Sequence, residues 1–173
     1  KLTVAAIDLR LGRVCLARAD ITDSVREQQG LLNVVAYTFE LLGLIQVVTR
    51  RMTMHTRQTV LENLPPFVVE DYNASIKLIA RRYNPEGGTE ELERQLRLET
   101  MLRHLEEQPA GYDFVFPHRS EEGLRYKQIT VLWGDGEHKT VCMVRADVTD
   151  MLAEERRSKK ALEQALELAE EAS

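Results

Sequence analysis

The sequence predicts an α+β domain, a five-stranded antiparallel sheet with helices covering one face, preceded by a β-hairpin and followed by a long C-terminal helix. Three observations predict it. Apolar, β-branched runs and segments of helical period follow one another in the order two strands, helices, three strands, helix. The stretch VCLARADITD at residues 14–23 returns as VCMVRADVTD at residues 141–150, so that Val14 and Val141 stand 127 positions apart. The second copy then passes directly into an Ala/Leu/Glu/Lys-rich segment reaching Ser173, a strand feeding a helix.

Residues 1–22 read as two strands with a turn over 8–12, and residues 23–33 as a short connector helix weakened by Gly30. Extending the repeat without gaps pairs Leu2-Thr3-Val4 with Ile129-Thr130-Val131, while Cys15, Arg18, Ala19, Asp20, Thr22 and Asp23 meet identical residues. A repeat of this length indicates a duplicated domain. Residues 34–150 are then the complete copy, 1–22 the terminal hairpin of an upstream one, and 151–173 an outgoing helix.

Within the complete copy, residues 38–56 form a hairpin turning at Thr49-Arg50-Arg51. After the break at Pro65-Pro66, the segment FVVEDYNASIKLIARRY carries Val69, Tyr72, Ile76 and Ile79 at helical spacing and stops at Pro85-Glu86-Gly87-Gly88. A second helix is predicted over residues 89–108 with the stripe Leu92, Leu96, Leu98, Leu102 and Leu105. Tyr112, Phe114 and Phe116 alternate on a strand; Gly123 turns into LRYKQITVLW, and Gly134-Asp135-Gly136 turns into the last strand.

The Asp-Val-Thr-Asp ending and its repetition resemble PAS sensor domains, whose last strand commonly ends in Asp-Ile/Val-Thr-Asp/Glu before a signalling helix. The complete copy is similar to PAS domains found in series ahead of bacterial histidine kinases or diguanylate cyclases, and the KALEQALELAEEAS tail looks like the linker into a hybrid histidine kinase. This resemblance implies a non-catalytic, cytoplasmic sensory module, a homodimer, and a downstream kinase or cyclase domain in the same polypeptide. The signal junction would be Asp147, Thr149 and Asp150, with Asp20 and Thr22 as the upstream counterparts. In such a fold the cleft between sheet and helices has room for a small ligand of unknown identity, and Tyr112, Phe114, Phe116, Tyr126, Trp133 and Cys142 are the residues expected near it. Leu162, Ala165, Ala169 and Ala172 recur at heptad spacing, a thin seam for a parallel dimer.

Composition sets bounds. A hydrophobic fraction of 43% supports a buried core, and a formal net charge of -5 with interleaved signs argues against a nucleic-acid surface. No run approaches the ~18 apolar residues of a membrane span. The two cysteines, Cys15 and Cys142, fall at corresponding places in the two copies, which suits reduced thiols better than a disulfide. His55, His104, His118 and His138 show no metal-binding spacing, so neither metal nor cofactor is expected. Gly87-Gly88-Thr89-Glu90-Glu91 lacks the closing aromatic of a cyclase signature and reads as a helix stop and start. Phosphate-loop, His-Glu-x-x-His and Gly-x-Ser-x-Gly patterns are missing, which leaves no catalytic motif to assign.

Overall fold

The computed structural model describes residues 2–8, 13–18, 26, 30, 36–85 and 87–172. They fall into two compact units, Lys1–Val35 and Ala36–Ser173. In the first, β1 (Leu2–Asp8) and β2 (Arg13–Arg18) form an antiparallel hairpin, as the alternation predicts. The predicted connector over 23–33 and the junction counterparts Asp20 and Thr22 lie outside the described residues, apart from the helical positions Arg26 and Gly30.

The second unit is α+β. Its strands are β3 (Leu41–Gln46), β4 (Met52–Thr56), β5 (Phe67–Val69), β6 (Tyr112–Ser120), β7 (Gly123–Trp133) and β8 (Thr140–Asp147). They make one antiparallel sheet in the order β5-β4-β3-β8-β7-β6. The helices are α1 (Arg57–Leu61), α2 (Tyr72–Tyr83), α3 (Glu90–Leu96), α4 (Leu98–Glu107) and α5 (Thr149–Glu171). No helix among the described residues is long and apolar enough to cross a membrane.

Six strands replace the five expected. The additional one, β5, comes from the segment read as the start of a helix: Phe67–Val69 pairs with Met54–Met52, and α2 begins only at Tyr72, where the Asp71 carboxylate accepts the Ala74 N–H at 3.2 Å. Pro65-Pro66 immediately before it suits an edge strand, since proline is excluded from inner ladders. The first hairpin also turns slightly earlier than expected, through residues 47–49, with Arg50 in the left-handed region at φ 60°.

The predicted helix over 89–108 is two helices. Leu96 and Leu98, two positions apart, would point about 200° apart on one continuous helix. Both are buried in the same core, at 1% and 2% exposure, because the chain breaks at the extended residue Arg97 (φ -62°, ψ 134°). The break is held by α2. The buried Tyr72 hydroxyl donates to the Leu96 carbonyl at 2.6 Å, and the Asn73 side-chain oxygen accepts the Leu98 N–H at 3.2 Å. On α4 the inward face then becomes Leu98, Met101 and Leu105, with Leu102 at its margin.

These helices pack on the sheet face that carries Ile45, Met52, Ile129, Val131, Val141 and Met143. Because strand side chains alternate, Leu42, Thr130, Leu132 and Cys142 occupy the opposite face. Tyr72→Phe deletes the hydroxyl that satisfies the Leu96 carbonyl, and should cost about 1–2 kcal/mol in denaturant unfolding. An unchanged midpoint would show that the helix break does not depend on this bond.

Candidate functional site

β8 ends at Asp147 and α5 starts two residues later, so one residue, the buried Val148, joins strand to helix. Its N–H donates to the Tyr126 carbonyl at 2.9 Å, while the Tyr126 N–H donates to the Thr149 hydroxyl oxygen at 2.8 Å. Both backbone groups of Tyr126 on β7 are therefore spent on the junction. The Asp147 carboxylate accepts the Thr149 N–H at 3.0 Å, satisfying one of the amides that a helix start leaves free. Asp150 is exposed in the first turn of α5, where the helix dipole favours an acid.

The other Asp147 oxygen takes Arg125 Nε at 2.9 Å and Lys127 Nζ at 3.1 Å. Lys127 also donates to Glu40 at 2.5 Å, and the second oxygen of Glu40 accepts Arg145 Nε at 3.0 Å. Lys127, 8% exposed, is in phase with Ile129 and Val131 on the helix-covered face. A side-chain nitrogen so far out of water needs hydrogen-bonding partners beside it, and here they are carboxylates. Three cations, Arg125, Lys127 and Arg145, share the two acids Glu40 and Asp147. Burial works to raise the Asp147 carboxyl, but hydrogen bonds from Thr149, Arg125 and Lys127 outweigh it and hold the group well below the usual carboxylate range.

Arg145 reaches further. Its guanidinium lies 5.3 Å over the Tyr83 ring of α2, and Tyr83 meets His118 edge-on with centroids 5.2 Å apart. All three line a cleft of about 640 Å³ between α2 and the sheet. Its walls are apolar, chiefly Met52, Met54, Met143, Ile79 and Ile129. Gly43 leaves room for the terminal methyl of Met52, with which a Cβ at that position would collide.

The aromatic residues expected at the cleft lie elsewhere. Tyr112, Phe114 and Phe116 do share the helix-facing side of β6, but they stack along the strand in the core, with Tyr112 against His104. Burial pushes the Tyr112 phenol up to about 12. Trp133 stacks on His138 at 4.2 Å in the β7–β8 turn region. Strand register corrects two assignments outright: Tyr126 and Cys142 fall on the face opposite the cleft. Tyr126 sits beside the junction under Arg156 of α5, and Cys142 is a buried free thiol whose pKa burial raises. Among the described residues no group of three His, Cys, Asp or Glu side chains is arranged to hold a metal ion.

The two copies of the repeat share their pairing. Leu2↔Arg18, Val4↔Leu16 and Ala6↔Val14 in the first hairpin correspond, at the same 127-residue offset, to Ile129↔Arg145, Val131↔Met143 and Trp133↔Val141 in β7–β8. Arg18 thus occupies the register position of Arg145. No protein-family model matches this chain, and no curated protein is significantly similar to it.

Asp147→Asn should lower stability by about 1–3 kcal/mol at neutral pH, since it leaves Lys127 with less compensation. The folded carboxyl titrates below its unfolded value of about 3.9, so its contribution is whole above roughly pH 4 and drains as pH falls towards the folded value. The acid limb of the stability curve should be shallower in the variant. Parallel acid limbs in denaturant titrations would exclude Asp147 as the acid-sensitive group.

Proposed function

We propose that residues 34–150 form a PAS-like sensory domain, the second of a tandem pair, that passes a signal through α5 to an output domain of the same polypeptide. The output is a histidine kinase of a two-component phosphorelay, with a diguanylate cyclase as the alternative. The chain itself binds, dimerises and transmits. One observation carries this reading: a continuous path of contacts runs from the cleft wall at Tyr83 and Arg145, through Glu40 and Lys127, to Asp147 and the first turn of α5. A change at the cleft that draws Arg145 away from Glu40 redistributes Lys127 between Glu40 and Asp147, and so alters the hold on the helix start.

Two further features support it. The matching register of the two hairpins fits a duplicated domain whose junction residues recur. The open cleft disfavours a ligand-free spacer, which would be packed solid at this place.

The same proposal makes α5 a dimer helix. Every described residue from 153 to 172 is exposed, with Leu162 at 71% and Leu166 and Leu168 also bare. Leu162, Ala165, Ala169 and Ala172 form the seam, and Leu166 flanks it to widen the apolar strip.

Lys127→Met keeps an unbranched apolar stem at an inward position and removes the link between Glu40 and Asp147. Hydrogen exchange should show faster amide exchange at residues 149–152 with α2 unchanged; equal protection in parent and variant would refute transmission along this path. For the dimer, Leu162→Glu should move a concentration-dependent dimer towards monomer in sedimentation while circular dichroism stays native. A parent chain that is monomeric at high micromolar concentration would exclude α5 as the contact.

A further inference from the structure

We propose that the cleft beneath α2 takes a small amphiphile, an apolar body ending in a single carboxylate, with the carboxylate against Arg145, His118 and Arg82. The inference rests on reading this cleft as the sensory site and adds the chemical class of what enters it. A volume of about 640 Å³ is that of a small-molecule site, and the walls are mostly hydrocarbon and thioether. Methionines at 52, 54 and 143 adapt to the shape of an apolar body without specifying it. Discrimination therefore falls to the polar end.

That end has one sign. The charged residues lining the cleft are Arg82 and Arg145, and no Asp or Glu lines it among the described residues. Glu40 bonds Arg145 at Nε from outside the lining and is shared with Lys127. Arg145 is the member of that ion-pair set which reaches the cleft, and with Arg82 it makes the charged part of the lining cationic. His118 adds a second signal: its Nδ1 is buried and has no hydrogen-bond partner. A carboxylate seated between them would accept from Arg145 and from an Nδ1–H of His118 together.

The second cleft on α2 provides the contrast. It measures about 520 Å³, and there Lys77 and Arg97 are matched by Glu93 and Glu99, so it offers no preference for an anion.

The test is calorimetric titration of the intact chain with decanoate, decan-1-ol and decylamine, which share a tail and differ in the head. Decanoate should bind about tenfold more tightly than decan-1-ol, the gain from one charge-assisted pairing, and decylamine least of all. Arg82→Gln, at an exposed position on α2, should reduce that preference, and Arg145→Gln should abolish it, with circular dichroism showing that the fold persists. Lys77→Gln, in the other cleft, should leave it unchanged. Equal or tighter binding of decan-1-ol or decylamine, a preference untouched by Arg82→Gln and Arg145→Gln, or no binding of any probe would overturn the assignment. Decanoate bound with the expected preference while amide exchange at residues 149–152 stays constant would instead refute the signalling role and leave the ligand class standing.

Discussion

A lysine placed at an inward position of a central strand constrains this domain more than any other residue. Lys127 cannot be solvated where it stands, and an unpaired ammonium there would cost several kcal/mol, so two carboxylates must be delivered to it. They come from opposite ends of the fold: Glu40 from the residue entering β3, Asp147 from the residue leaving β8. Burying one charge thus fixes where the domain begins and where it ends relative to the same point of β7. The helix start inherits that fixity through the single bridging residue Val148.

The interactions around Lys127 are a matter of specificity more than of gross stability. A hydrophobic residue of similar shape would serve the core as well or better. What such a residue could not do is bridge Glu40, the partner of Arg145 at the cleft, to Asp147 at the junction. The contacts that satisfy the buried ion are the same contacts along which the proposed signal would pass.

Much of this architecture was legible in the sequence because it depends on local pattern. Alternation in β6 to β8, the turn at Gly134-Asp135-Gly136 and the strand-to-helix passage at Asp147 are all short-range, and all were found. The strand β5 escaped because three residues between Pro66 and Asp71 are too few to show a period. The break at Arg97 did leave a trace, since Leu98 stands off the stripe set by Leu92 and Leu96, and that offset was the readable sign of two helices. The cleft was misplaced because aromatic residues mark the core as readily as a pocket. Its polar wall joins Glu40 to Arg145 across 105 residues, a pairing no local pattern encodes. The one available clue was Lys127 itself, a charge in phase with Ile129, Val131 and Trp133.

The sharing of Tyr126 limits how this junction can move. Its carbonyl and N–H are occupied by Val148 and by the Thr149 hydroxyl, which stands in for the next rung of the strand ladder. Strand and helix consequently compete for the same residues, and the boundary between them can move only by whole residues. A slip of one would invert the facing of every β8 side chain and turn α5 by about 100° with a rise of ~1.5 Å. Intermediate positions would leave Tyr126 with unmatched backbone groups. The boundary therefore has discrete angular settings of one helix, and the proposed signal would choose between them.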